Sequence, residues 1–537
     1  MAMRIPDKID IENFTIENNI LKGINVEFNE NICFGEAILN CLDSNPHHVA
    51  QIEADTDNKT TFAEMKDRSV RCALWMREYG VKPGDIVIVC SDNHLNTYIP
   101  VLATFYVGAI LNGWDHNILL TTARYFIKFF EPKLIFVCES AAQTLYEAKR
   151  LENVNTEIIV FGKYSNLKSL DDILQVESEE KIRMFHPLQL ANLDETAIIL
   201  LTSGSTGAPK AVEHSYKNFP KLIQTFYIHP LKGISLCMAS VYWLTGVMHL
   251  FVSTFTYGTR IIFSNPDMDE RCKVIQKYKI ERIFLSPVSI NYFCKGDLFK
   301  NYDLQSLELI VTGGVRVSPQ LLEEFKRKVP NALTIMNYGL TETGRMVTSQ
   351  TETTKNIGSV GVVASNTQIK IIDIDNGNCL GVNQEGEICV KQPTLMVGYY
   401  KNPKETKKMI DEDGWLHTGD KGYFDENGEI TITDRMKDVI KYRNYQISPG
   451  ELEEVLLSHP AVIEVAVVPI PHEIDNERPI AFVKAQTDIS ENELVTMTLV
   501  LGENNKLSGG VKFLKELPLT PSGKIDRRLL KEMAKAL

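Results

Sequence analysis

From Asp85 onward the chain repeats one pattern, a short apolar and β-branched run followed by a helix-length amphipathic stretch. "DIVIVCS" precedes "NHLNTYIPVLATFYVGAI", and "PKLIFVCES" precedes "AAQTLYEAKRLE". "TEIIVFG" and "TAIILLTSGSTG" follow, then "TRIIFSN" before "MDERCKVIQKYK", then "ERIFLSP" and "LELIVTGG". Alternation of this kind predicts an α/β fold, with a large N-terminal domain of several sheets built mainly from parallel strands. Ligands of such folds gather at the C-terminal ends of the strands, where the glycine-rich loops of this chain lie.

After about residue 355 the texture changes. "GSVGVVASNTQIKIIDIDNGNCLGVNQEGEICVKQ" has short strands and NG and EG turn signals, which read as hairpins. This predicts a β-rich subdomain over about 355–434. Beyond it, "ISPGELEEVLLSH" reads as a helix with Ser and Pro at its start and acidic residues in its first turn. "VIEVAVVPIP" and "PIAFVKAQ" read as strands. A small α+β C-terminal domain is expected, with a boundary near Asp434–Lys437.

Composition narrows the function classes. With 537 residues, 44% apolar and 23% charged, the chain is an ordinary globular protein large enough for two or more domains. A net charge of −12 argues against general nucleic-acid binding and against docking on anionic membranes. A local basic site for a nucleotide stays open. The ten cysteines are scattered, form no C-x-x-C pair and sit mostly in apolar runs. Reduced, buried thiols in a reducing compartment are expected. The N-terminus is too polar for a signal peptide. The longest apolar run, "YIPVLATFYVGAIL", has 14 residues, short of a span. The last three residues, Lys-Ala-Leu, do not match the peroxisomal S-K-L. A cytoplasmic location without stable membrane insertion is expected.

Four segments carry chemistry. "TSGSTGAPK", Thr202–Lys210, offers flexible backbone, hydroxyls at Ser203, Ser205 and Thr206, glycines at Gly204 and Gly207, and one cation. Such a loop turns amide N–H groups towards phosphate oxygens. Its spacing is not that of G-x-x-x-x-G-K-[ST], so it is no P-loop, and taken alone it is equally a plain surface turn. "NYGLTETG", Asn337–Gly344, combines a flat ring at Tyr338, a hydroxyl at Thr341 and a carboxylate at Glu342 suited to Mg²⁺. It also reads as a capped helix start. In "GWLHTGDKGYFDENGEITITDR", Asp420 lies between turn glycines, placed to accept ribose hydroxyls, with Arg435 as a donor. "LPLTPSGKIDRRLL" sets Lys524 in a loop before a basic helix.

Together, in order and spacing, these segments resemble the signature motifs of the adenylate-forming superfamily: acyl-CoA synthetases, 4-coumarate:CoA ligases, peptide-synthetase adenylation domains and firefly luciferase. The resemblance covers nearly the whole chain. It looks closest to the insect luciferase and fatty acyl-CoA synthetase branch, in "LGVNQEGEICVKQPTLMVGYYKNPKET" and "GGVKFLKELPLTPSGKIDRR".

The resemblance implies an enzyme that activates a small-molecule carboxylic acid with MgATP, releasing pyrophosphate, and passes the acyl group to CoA. It implies that Thr202–Lys210 cradles the β- and γ-phosphates. Gly313, Gly314 and Val315 would line the adenine, with Asn337, Tyr338 and Gly339 beside it. Thr341 would touch the α-phosphate, Glu342 would hold Mg²⁺, and Asp420 and Arg435 would bind the ribose. Lys524 would stabilise charge during adenylation. A hinge at 435–437 would join an N-terminal domain, 1–434, to a C-terminal lid, 438–537. Rotation about it would replace Lys524 by Lys441.

Three departures stand out. "PKAV" replaces the usual "PKGV", with Ala211 for Gly. Asn444 in "KYRNYQI" stands where the family generally has Gly, on the path of the pantetheine arm. The acyl-pocket segment reads "SVYWLTGVMHLF", with Trp243 and Leu244 where firefly luciferases have two histidines. Tyr242, Trp243, Leu244 and Gly246 are expected along the acyl group. Arg345 is expected beside the carboxyl site, paired either with a second acidic group of the substrate or in a surface salt bridge. The alternative function is a luciferase, a monooxygenase that oxidises its own adenylate with O₂ and emits light. A catalytically dead binding protein is disfavoured by the full set of motif residues, and a carrier-loading module by the lack of a carrier domain within the sequence. A monomer or weak oligomer is expected.

Overall fold

The computed structural model describes residues 13–28, 32–165, 167–175, 178–202, 210–225, 232–265, 267–296, 298–314, 317–443, 445–520 and 524–537. The repeated apolar runs become the strands of two large sheets. One has eight strands, and its middle strands Ile110–Trp114, Ile86–Cys90, Leu134–Val137 and Glu157–Val160 run parallel. The other has nine strands, parallel from Leu333–Gly339 through Leu309–Gly313, Arg282–Leu285, Ile234–Cys237 and Thr259–Ile262 to Val49–Glu53. All five residues of Ile86–Cys90 are buried, as befits a strand covered on both faces.

Helices fill the space around the sheets. Tyr98–Val107 is buried at every position, while Glu139–Glu152 turns Ala141, Ala142, Leu145 and Ala148 inward and its charges outward. Phe62–Glu78 starts on a capping box: Thr61 Oγ1 accepts from the Glu64 amide, and the Glu64 carboxylate accepts from the Thr61 amide at 2.7 Å.

A third, antiparallel sheet is made from the hairpin-rich stretch, with Gln368–Ile372, Gly386–Lys391, Leu416–Phe424 and Ile430–Arg435 side by side. Its other edge was not read from the sequence. Phe14–Glu17 and Ile20–Gly23 form a hairpin that pairs with Gln368–Ile372.

A five-stranded sheet takes all its strands from 440–513, among them Val462–His472 and Asn476–Ala485. The helix Pro449–Leu457 packs against it, with Ser448 capping its N-terminus and Glu451 in its first turn. This unit is fastened to the rest through the helix Pro287–Lys295. Lys295 Nζ donates to the carbonyls of Leu457 at 3.2 Å, His459 at 3.1 Å and Val462. Asn291 donates to the Ile463 carbonyl, and Lys484 to the Tyr292 hydroxyl at 2.9 Å.

All ten cysteines are free thiols, seven of them buried. Among the described residues, no helix is long and apolar enough to cross a membrane.

Candidate active site

The site begins where two parallel strands end together. Leu309–Gly313 and Leu333–Gly339 pair in register, so Gly313 stands opposite Asn337. A Cβ on Gly313 would lie 2.4 Å from the Asn337 carbonyl oxygen, and Gly314 adopts φ +82°. Both positions demand glycine, and they leave an edge of bare backbone beside Asn337 and Tyr338. Val315 lies outside the described residues.

The next layer comes from the third sheet. Antiparallel pairing puts Asp420 opposite Arg435. Asp420 is only 2% exposed, yet its carboxylate is well held. The Tyr338 hydroxyl donates to one oxygen at 2.7 Å, and Arg435 Nε reaches the other at 2.8 Å. Burial and the neighbouring Asp420 charge push the Tyr338 hydroxyl well above the usual phenol range, so it stays a proton donor. Sequence reading gave Tyr338 a flat face for a base; its bond to Asp420 was missed.

Beyond Gly339 the chain makes a short 3₁₀ turn, Thr341–Thr343. Two contacts that sequence reading did not anticipate fix this turn. His214 Nε2 donates to the Thr341 carbonyl at 2.8 Å, and the Tyr399 hydroxyl donates to Glu342 Oε1 at 2.7 Å. His214 is fully buried, and loss of water pulls its pKa down to about 4, so the ring is neutral. The Glu342 carboxylate keeps a second oxygen for a hard cation. The available signals were a histidine in the strand "KAVEHS" and the tyrosines of "MVGYY".

Cations surround this pair of carboxylates. Thr202 and Lys210 are cross-strand partners at the loop end of an antiparallel pair of strands. Ser203, Gly204, Ser205, Thr206 and Gly207 lie outside the described residues. Lys210 Nζ is 2.9 Å from Glu405 and 4.6 Å from the centre of the Tyr399 ring. Lys408 and Lys210 together hold the Glu405 carboxyl down to about 2. Lys524 and Lys437 stand at the mouth of the cleft, crowded by protein yet not covered. Loss of water lowers both below the usual lysine range, and Arg435 adds to the lowering in each case. Asp420 and Glu342 pull Lys524 the other way, so it sits in their field. The loop bearing Lys524 is closed by the Thr520 amide on the Lys524 carbonyl and by the Leu519–Ile525 bridge. Lys441 is exposed on the strand Ile440–Tyr442, its amide donating to Glu477 at 2.7 Å, and Asn444 lies outside the described residues.

The acyl segment is tightly built. Tyr242 is 4% exposed and belongs to the main core, with its ring edge-on to Trp243 at 5.2 Å. Trp243 and Leu244 are partly buried against that core. A Cβ on Gly246 would collide with the Ser240 carbonyl oxygen at 2.0 Å.

Arg345 requires a correction. It makes no surface ion pair, because it is 1% exposed. Its guanidinium donates to the Ser365 carbonyl at 2.7 Å, to Thr367 at 2.9 Å and to Thr394 at 3.2 Å. It ties the turn after Thr343 to the third sheet, and burial lowers its pKa to about 10.

The arrangement suits a polyanion that also carries a flat base and a diol. The paired Asp420 and Arg435 offer an acceptor and a donor side by side, and Lys437 and Lys524 lie near both. Comparisons with known proteins identify the family. Residues 40–400 match the family described as AMP-binding enzyme, and 451–524 match the AMP-binding enzyme C-terminal domain. Luciferin 4-monooxygenase of Photuris pensylvanica is 31% identical over 503 residues, covering 90% of this chain and 92% of that protein. Peroxisomal OPC-8:0-CoA ligase 1 of Arabidopsis thaliana is 30% identical over 499 residues, covering 90% of each. The structure of the luciferase-like enzyme from the nonluminescent Zophobas morio mealworm matches with TM-score 0.73 at 30% identity, covering 78% of this chain and 99% of that one. The chain therefore belongs to the AMP-binding enzyme family of the adenylate-forming superfamily.

Proposed function

We propose that this enzyme activates a small-molecule carboxylic acid with MgATP and transfers the acyl group to CoA. The observation that carries the reading is the cluster in which Arg435 and Tyr338 hold buried Asp420, Tyr399 holds Glu342 with Lys210 4.6 Å from its ring, and Lys437 and Lys524 lie in the field of Arg435 and Asp420. Like charges gathered this closely repel one another, and a triphosphate relieves that repulsion.

In the first half-reaction a carboxylate oxygen attacks the α-phosphorus, and the bond to pyrophosphate breaks. Asp420 and Arg435 hold the ribose, the edge at Gly313, Gly314 and Asn337 lies along the adenine, and Thr341 donates to the α-phosphate. Glu342 is the residue that would hold Mg²⁺, whose charge offsets that of the phosphates. Lys210 changes partner from Glu405 to the outer phosphates. Lys524 neutralises charge building up between the carboxylate and the α-phosphate. Catalysis is positioning and charge neutralisation.

In the second half-reaction the CoA thiolate attacks the acyl carbon and AMP leaves. We assign the hinge to 435–437 between units 1–434 and 438–537. The turn there is closed by the Asp438 amide on the Arg435 carbonyl. Rotation would take Lys524 out and bring Lys441 in. We place the protein in the cytoplasm as a monomer or weak oligomer.

The likeness to a luciferin 4-monooxygenase supports a second fate for the adenylate, oxidation by O₂ with emission of light. One incubation tests both: purified protein, MgATP, CoA, O₂ and a mixture of fatty and aromatic acids, followed by mass spectrometry and photon counting. Acyl-CoA with AMP and pyrophosphate is expected. Acid-dependent AMP with light and no thioester would favour the second fate. No acid-dependent AMP would overturn the proposal.

A further inference from the structure

Arg260 lies on the strand Thr259–Ile262 of the nine-stranded sheet and is 8% exposed. Among the described residues Gln51 Oε1, at 2.5 Å, is its one hydrogen-bond partner and no carboxylate pairs with it. Burying a guanidinium without a counter-charge is costly, so a fold that keeps one has a use for it.

Arg260 borders a cavity of about 30 Å³, whose wall also includes Asn93, Thr97, Tyr98 and His249. Asn93 is engaged by the carbonyls of Cys237 and Phe263, and His249 is 2.9 Å from the Ser235 hydroxyl. Among the described residues the hydroxyls of Thr97 and Tyr98 are buried without a hydrogen-bond partner, Tyr98 lying near the Arg68 guanidinium as well as Arg260. Thr97 and Tyr98 also open the helix Tyr98–Val107, where the Thr97 side chain makes no cap. The positive end of that helix therefore borders the same cavity. A buried cation, two buried hydroxyls and a helix N-terminus define a niche for a small anion. Its small volume leaves room for a compact head group and no chain. Val241 and Gly246 form part of the same wall, and they belong to the segment expected along the acyl group.

We propose that Arg260, Thr97 and Tyr98 form a subsite for a carboxylate at the far end of the substrate, which makes the preferred acid a dicarboxylic one. This rests on the acid-activating reading above. A planar guanidinium meets a carboxylate with two parallel hydrogen bonds. A free carboxylate such as acetate would satisfy the same donors.

The test compares pyrophosphate release from straight-chain monocarboxylic and dicarboxylic acids of matched length. At one length at least, kcat/KM should favour the dicarboxylate by about tenfold or more. The ratio should fall at least about tenfold in R260Q and recover in part in R260K, which keeps the charge. Monocarboxylates equalling dicarboxylates at every length would overturn the subsite while leaving acid activation standing. So would a ratio unchanged in R260Q. If acetate raises Tm in the wild type but not in R260Q, and dicarboxylates gain nothing, the niche holds a free ion and the substrate assignment falls. If no acid releases pyrophosphate, the acid-activating reading falls and takes the subsite with it.

Discussion

Tyr338→Phe removes one oxygen from the most constrained part of the cleft. That hydroxyl is the donor to one oxygen of a carboxylate that is 2% exposed, at 2.7 Å. The ring itself packs in a core with Val317, Met336 and Val347, and phenylalanine keeps that packing. The loss is then one hydrogen bond to a charged group, worth about 1.5–3 kcal/mol. Asp420 keeps Arg435 on its other oxygen, so it stays in place but is free to turn. On the proposed reading, in which this carboxylate holds the ribose, kcat/KM for ATP should drop roughly 10- to 100-fold, at about 1.4 kcal/mol per tenfold. The KM for the acid should barely change. Initial rates of pyrophosphate release at saturating acid, with ATP varied, give the number, and a thermal melt checks folding. The same substitution in an Asp420→Asn background should have little further effect, since the coupling lies between these two groups. A change under about twofold in the wild-type background, or an undiminished effect beside Asp420→Asn, would refute the reasoning.

Acid lability follows from two buried histidines. Burial lowers His214 to about 4 and His249 to about 3, while in the unfolded chain both titrate near 6.5. Below pH ~6.5 the unfolded chain therefore binds the extra protons. Stability should fall by about 1.4 kcal/mol per pH unit for each ring, down to pH ~4 for His214 and ~3 for His249. Urea midpoints at neutral and mildly acidic pH measure this, and His214→Leu should flatten the slope; an unchanged slope contradicts it. The contacts of Lys295 with three carbonyls predict that Lys295→Ala weakens docking of the C-terminal unit. Adenylation should slow by about tenfold or more, while thioester formation from supplied adenylate is spared; equal loss of both would count against this docking role.

What could be read from the sequence was local. The apolar runs from Asp85 to Gly314 announced the parallel sheets because buried strands need continuous apolar residues. Ser448 and Pro449 announced a helix because a capping hydroxyl and a preset φ favour its first turn. What escaped was pairing between distant segments. Ile20–Gly23 finds its partner at Gln368–Ile372, and no local pattern encodes that register. His214 against Thr341 and Tyr399 against Glu342 escaped for the same reason. Arg345 was misplaced because a charge in "TETGRMV" suggests a surface, whereas backbone carbonyls and threonine hydroxyls receive it indoors. The buried Arg260 was hidden in an apolar strand, "TRIIF", where its neighbours mask it.

The central claim is that two half-reactions share one cleft and that Lys524 serves the first. The most direct measurement follows each half-reaction separately in Lys524→Ala and Lys441→Ala. With MgATP and acid, Lys524→Ala should lose about 100-fold or more in adenylate formation, yet convert supplied acyl-adenylate and CoA to thioester near the wild-type rate. Lys441→Ala should show the reverse pattern. Equal loss of both half-reactions in Lys524→Ala would contradict the account.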